Sequence, residues 1–471
     1  MNEPGKVVEI KEQMKKIIIK DFRCYSHQEI EFRSGINLLI GDNASGKTSL
    51  IRACNFVANS LFCGYSDENT VWKSVEDDDF RLNVDSNYTI LPEQPVSVSF
   101  CLAPWDLYPI EDENTTVGID YSTVFQLEKR SKKNARNLLT GLTPLKEYAS
   151  HLRSSSHVEN EAGIRQLNVL PVYACFTTED IHSSRKIDKQ KFKDYAQKPS
   201  FGYFECYDCR GLLTYWLDRL LVLQEAGIGT EEIECVRKAI RECLGKEGCR
   251  IIEDMVVRPV KGKVYFAYTD GRFVESTMLS DGYKRVVNIV IDLAIRCALL
   301  NKVKYGAEAY KYTHGTVIID EIDEHLHPAL QSRILRALHA TFPKIQFIAS
   351  THAPLVMSSV KNSDENVVYR LYYDEEECTY KHIKLNTYGL DVNLILEEDM
   401  MVESRDSVIG EDLKKIEKLL RERKVEKAKI LLADLEKRTK PLQPSLVKLR
   451  SVINRLESRH NETHKENPGN F

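Results

Sequence analysis

Residues 41–50 read GDNASGKTSL: two glycines enclose a small polar loop, with a lysine and a threonine directly behind. The apolar run INLLI at 36–40 precedes it, and the stretch SLIRACNFVANSLF from Ser49 onward repeats apolar positions at helical spacing. Strand, glycine-rich turn and helix start in that order is the context of a phosphate-binding loop. Gly41 and Gly46 permit a tight turn, and Asp42, Asn43, Ala44 and Ser45 between them aim successive N–H groups at phosphate oxygens. The helix opening at Lys47, Thr48 and Ser49 brings its positive dipole end to the same place. In this reading Lys47 bridges the β- and γ-phosphates and the Thr48 hydroxyl coordinates Mg²⁺.

A second block lies far downstream, GTVIIDEIDEHLHPALQSRILRALHATFPKIQFIASTHAPLVMSS at 315–359. TVIID reads as a continuous apolar strand ending in an acid, as a buried parallel strand does. Asp320 then stands at the sheet edge where open α/β sheets place ligands, opposite Thr48 in the Mg²⁺ shell. Glu321 follows and, by strand alternation, points elsewhere, which suits it to orient or deprotonate an attacking water. KIQFIAS is another buried-strand pattern, delivering Ser350, Thr351 and His352 to the same edge, with His352 set to donate to a γ-phosphate. Between the two blocks, MLSDGYKRVVNIVIDLAIRCALL at 278–300 reads as a helix with Val286, Ile289, Val290, Leu293, Ala294 and Cys297 at helical spacing. Ser280 is placed as its N-cap, and Gly282 keeps the approach to the helix end open.

Composition narrows the class. The 471 residues carry a formal net charge of only −4, so nothing global advertises nucleic-acid binding. The apolar stretches are too short to span a bilayer and the N-terminus has no signal-peptide core, so a cytoplasmic protein without a membrane is expected. The 12 cysteines are scattered through apolar patterns, the expectation being reduced core thiols. Cys206 and Cys209 form a single C-x-x-C without a second pair at zinc-ribbon spacing, which favours structural thiols over a metal or redox role.

The order of the blocks, glycine loop, LSDG, VIIDE and STH, resembles the ABC-type ATPase heads of the SMC, RecF and related DNA-repair families. The resemblance makes Gly41 to Thr48 the Walker A loop, Leu279, Ser280, Asp281 and Gly282 the signature motif, Asp320 with Glu321 Walker B, EHLHP the D-loop, and His352 the switch histidine. IIIKDFRCYSHQEIEF resembles the first hairpin of such heads, with Arg23 near the nucleotide. The Q-loop glutamine is left between Gln126 and Gln94. The implied fold class is α/β, a P-loop NTPase of ABC type with an inserted lid region and a C-terminal helical extension. The implied ligands are ATP and Mg²⁺, with the signature of one copy capping the γ-phosphate held by another in a homodimer or higher oligomer. The family has glycine where Asp281 stands. Either Lys284 and Arg285 offset that carboxylate or it points away, and slow turnover or use of ATP as an assembly clamp follows from it.

More than 200 residues separate Lys47 from Ser280, unlike transporter ATPases, and heptad arms of full SMC length are missing from that gap. It contains polar loops (Glu111 to Thr116, Arg153 to Glu161), a buried-strand pattern LPVYACFTTED, and a helical stretch from Leu212 to Glu247. The expected organisation is an N-terminal lobe over 1–130, a lid over 131–257, a C-terminal lobe over 258–400, a helical hairpin over 401–460 and a disordered tail over 461–471. LSDGYKR, IDEIDEHLHP and TYGLDVNLILEEDMM together resemble the ATPase component of Septu-type antiphage systems, the PtuA family. That resemblance implies a separate HNH nuclease of PtuB kind as partner, no nuclease activity in this chain, and DNA reached directly or through the partner. Two rival readings stand beside it: a RecF- or SMC-like repair ATPase that grips DNA itself, and a scaffold that binds ATP with little hydrolysis.

Overall fold

The computed structural model describes residues 13–67, 69–70, 72–73, 75–84, 89–91, 94–102, 124–132, 137–138, 140–155, 157–160, 163–166, 168–178, 198–400, 407–439 and 444–465. The Glu111 to Thr116 loop and residues 466–471 of the expected tail lie outside them. The chain forms two compact units, 1–392 and 393–471.

In the first unit a six-stranded sheet is built from β3 (Ile36–Ile40), β8 (Val172–Phe176), β12 (Gly315–Ile319), β13 (Ile345–Ser350), β14 (Val367–Asp374) and β15 (Thr379–Leu385), in the order β15-β14-β3-β13-β12-β8. All neighbours run parallel except β14 and β15. Every residue of β3, β8, β12 and β13 is buried, as strands covered on both faces must be, and that is why they read as unbroken apolar runs. The strand expected within LPVYACFTTED is β8, the sheet edge beside β12. Helix α1 (Lys47–Asn59) leaves the glycine loop and buries Leu50, Ile51, Cys54 and Val57.

An antiparallel sheet, order β2-β1-β4-β5, combines β1 (Met14–Phe22), β2 (Tyr25–Glu31), β4 (Val96–Leu102) and β5 (Phe125–Lys129). The inserted segment 131–257 is woven into the same unit: besides β8 it supplies α2 (Thr143–Ser155), the hairpin β6 (His157–Asn160) with β7 (Gly163–Gln166), α3 (Leu212–Glu225) and α4 (Thr230–Leu244). The polar loop expected from Arg153 to Glu161 is thus the end of α2 followed by β6, the hairpin pairing having outweighed the polarity of its residues. A meander of β9 (Ile252–Arg258), β10 (Lys263–Tyr268) and β11 (Phe273–Glu275) leads to the signature helix α5 (Asp281–Tyr305). Every residue of α5 from Arg285 to Asn301 is buried, so this helix lies inside the unit instead of covering it with one apolar face. Helix α6 (Ile334–Thr341) connects β12 to β13.

Among the described residues, the second unit holds the π-helical turn Ile395–Asp399 and three α-helices, α7 (Ser407–Arg421), α8 (Val425–Arg438) and α9 (Pro444–Lys465), where a hairpin was expected. Arg423, at φ 55°, turns the chain between α7 and α8. Leu413, Ile416, Ala428, Leu432, Leu435, Leu446, Leu449 and Ile453 form a core of their own. Helix α9 continues to Lys465, past the point at which the tail was expected to begin.

Candidate active site

The C-terminal ends of three adjacent parallel strands, β3, β13 and β12, gather the residues read from the sequence. β3 ends in the glycine loop. Gly46 adopts φ 94°, and a Cβ there would lie 2.5 Å from the Tyr25 hydroxyl; a Cβ on Gly41 would lie 2.3 Å from the Leu371 carbonyl oxygen. The loop backbone is therefore free of side chains where it turns. Tyr25 Oη donates to the Gly46 carbonyl at 3.0 Å, seating the β1–β2 hairpin against the loop. Arg23, at φ 51° on the tip of that hairpin, has its N–H bonded to the Asp79 carbonyl at 2.8 Å. Asp42, Asn43, Ala44 and Thr48 are exposed, while Ser45 and Lys47 are buried. The Lys47 ammonium donates to the Gly41 and Asp42 carbonyls at 2.8 and 2.9 Å. Burial draws its pKa down, and the carboxylates of Asp320, Glu321, Asp42 and Asp323 oppose that. A charged amine resting on two carbonyls of its own loop is suited to exchange them for phosphate oxygens.

β12 ends at Ile319, and the Asp320 N–H donates to the Phe176 carbonyl at 2.8 Å. Ser350, the last residue of β13, is fully buried; its Oγ donates to Asp320 Oδ1 at 2.5 Å and accepts the Glu321 N–H at 2.7 Å. Glu321 lies beyond the strand in the left-handed region, φ 49°. Its direction is set by that turn and not by the strand alternation from which it was expected. Burial raises the Glu321 pKa and the neighbouring Asp320 raises it further, against the pull of His352. Asp323 Oδ1 accepts from Thr351 Oγ1 at 2.5 Å and from the His352 N–H at 3.3 Å, tying the switch segment to the turn after β12.

Ser280 is the N-cap residue of α5, but its side chain makes no capping bond. Leu279 is buried, and Ser280 and Asp281 are exposed. Lys284 Nζ lies 3.4 Å from Asp281 Oδ1, so one of the two neighbouring cations does offset that carboxylate. Arg285 does not: it turns inward, away from the helix start, to the end of β12. A Cβ on Gly282 would lie 2.4 Å from the His325 carbonyl oxygen, which seats the start of α5 against the D-loop. His327 caps the short helix Pro328–Gln331, accepting the Ala329 N–H at 3.3 Å. Gln126 donates to Ser97 Oγ at 3.0 Å within the antiparallel sheet. Cys206 and Cys209 are buried, the latter 3.6 Å from Arg296 Nη2.

Asp323 is the residue that sequence reasoning passed over; Ser350 was brought to this edge without its bond to Asp320, and Arg285 was expected beside Asp281. β12 and β13 pair in register with Ile319 opposite Ala349, so Ser350 falls opposite Asp320 as soon as those strands are known to be neighbours. Adjacency of strands is the signal that local spacing does not carry.

Two family profiles match: "AAA domain, putative AbiEii toxin, Type IV TA system" over residues 108–358, and "AAA ATPase domain" over 13–201. A retron Vc95 probable ATPase of Vibrio cholerae serotype O1 biovar El Tor is 43% identical over 95 residues, 20% of this chain and 18% of that protein. A Septu protein PtuA of Bacillus thuringiensis is 30% identical over 179 residues, 37% of this chain and 42% of that protein. The chain thus spans less than half the length of these relatives. Among solved structures, an SMC head bound to the C-winged helix domain of ScpA aligns over 79% of this chain and 98% of its own, at a TM-score of 0.46 and 14% identity.

Proposed function

Because the chain belongs to the AAA-domain family described as putative AbiEii toxin of type IV toxin–antitoxin systems, we propose that it binds and hydrolyses ATP, pairs with further copies around the nucleotide, and controls a separate HNH nuclease in antiphage defence. The observation that carries the ATPase reading is the meeting of Lys47, Asp320, Glu321 and the Ser350–His352 segment at three neighbouring strand ends.

In this reading Lys47 and the N–H groups from Gly41 to Ser49 bind the β- and γ-phosphates. The Thr48 hydroxyl and the Asp320 carboxylate hold Mg²⁺, which when bound neutralises charge on the phosphate oxygens. Glu321 accepts the proton of the attacking water, and its raised pKa suits a base that must later give the proton up. His352 donates to the γ-phosphate, held by Asp323. Arg23 lies by the nucleotide. Ser280, exposed with Asp281 at the start of α5, and the half-buried Gly282 beside it meet the γ-phosphate carried by a second copy. The likeness to a Septu protein PtuA supports the defence reading; the nuclease partner follows from the resemblance read in the sequence, with DNA reached directly or through that partner.

The test is the mass of the purified chain with and without ATP, beside labelled-ATP binding and turnover, for wild type, Lys47→Ala and Glu321→Gln. Lys47→Ala is expected to lose binding, and Glu321→Gln to bind ATP, accumulate as the larger assembly and stop hydrolysing. Wild type that binds no ATP refutes the reading. Defence lost in Lys47→Ala but intact in Glu321→Gln favours the ATP-binding scaffold. Salt-sensitive DNA binding by the chain alone favours the repair-type ATPase. Co-purification with an HNH protein encoded beside it tests the partner.

A further inference from the structure

The geometry points to Arg285 as a positioning residue that makes the signature helix and the catalytic carboxylate one rigid piece. The inference rests on the ATPase reading above and adds to it a residue that touches neither ATP nor the attacking water. Arg285 lies one turn into α5 and is 1% exposed. Its Nη2 donates to the Asp320 carbonyl at 2.7 Å and the Glu321 carbonyl at 3.0 Å. Its Nη1 donates to the Thr177 carbonyl at 3.2 Å and Glu324 Oε2 at 3.1 Å. One planar guanidinium thereby joins α5 to the ends of β8 and β12, and a lysine ammonium on a flexible stem cannot span the same acceptors.

What it holds is an unfavourable backbone. Glu321 is left-handed at φ 49°, a conformation that costs a side-chain-bearing residue free energy and persists only where the surroundings impose it. Its N–H is fixed by Ser350 Oγ and its carbonyl by Arg285, so the carboxylate projects from a peptide pinned at both ends. Gly282 against His325 makes a second junction between the same two segments, one turn nearer the helix start. A phosphate arriving at Ser280 from a second copy therefore reaches Glu321 of this copy through Arg285, and occupancy of one site sets the base of the other.

The experiment compares ATP affinity, kcat and KM of wild type, Arg285→Lys and Arg285→Gln, with melting curves for each. Glutamine leaves no buried unpaired charge, so it reports even where the lysine variant does not fold. Both variants are expected to bind ATP within about threefold of wild type and to lose at least about tenfold in kcat at little changed KM, lysine recovering part of what glutamine loses. Wild-type kcat in a folded variant overturns the inference, as does a fall in kcat matched by an equal loss of ATP affinity. Wild type that itself neither binds nor turns over ATP instead overturns the ATPase reading.

Discussion

Glu321, the base of the proposed reaction, stands where burial and then the neighbouring Asp320 disfavour its charge. A base with a raised pKa becomes protonated, and idle, at a higher pH than an ordinary glutamate. The acid limb of the kcat/KM profile, which reports the free enzyme, is expected to lie above the usual glutamate range and to vanish in Glu321→Gln, with turnover down by about 10²- to 10⁴-fold. Stability responds with the opposite sign. A carboxyl whose folded pKa exceeds its unfolded one contributes stability below the unfolded value and loses it as the pH rises through the folded value. Glu321→Gln is therefore expected to melt higher than wild type at neutral pH and to converge with it in acid. An equal melting temperature at pH 7 would show that burial and Asp320 do not strain this site. Lys47, Asp320 and Glu321 were legible because each follows its strand within a few residues. The bonds of Ser350 and Arg285 to Glu321 were not, because they reach 29 and 36 positions along the chain, across a register that only the folded sheet defines.

The same limit operates on elements. β3, β8, β12 and β13 announce themselves as unbroken apolar runs, since burial on both faces leaves no polar positions. α5 reads in the sequence as a long apolar helix; it is enclosed from Arg285 to Asn301, and Asp292 and Arg296 in its middle are fully buried. They are tolerated because they satisfy each other. Asp292 accepts from Trp216 Nε1 at 2.5 Å and from Arg296 Nε at 2.6 Å, and Arg296 Nη1 donates to the Gly202 and Phe204 carbonyls at 2.9 Å. This pins α3 and the segment before it to the signature helix. Removing the acid strands a buried cation, so Asp292→Ala is expected to cost about 3–5 kcal/mol, read as a lower urea midpoint at unchanged slope. Asp292→Asn, which keeps an acceptor for Trp216, is expected to cost less. Equal midpoints for the alanine variant and wild type would show that the cation finds other partners.

At the scale of the whole chain, the motifs give the head but not where it ends. Glycine loop, signature, Walker B and switch segment span 41–352 with no local mark of how far the unit continues. The boundary falls between Val392 and Asn393, inside a run the sequence presents as uninterrupted. The apolar positions of α7, α8 and α9 close on one another: Ile416, Ala428 and Leu435 are fully buried in that core, and Asp412–Arg438 and Glu436–Arg450 clasp its flanks. Every residue assigned here to ATP lies before position 353, on strands whose pairing is also closed before 393. A chain ending at Val392 is therefore expected to fold and to bind labelled ATP within about threefold of the full chain. Failure of that shortened chain to bind ATP, with its secondary structure intact by circular dichroism, would mean that 393–471 take part in forming the nucleotide site.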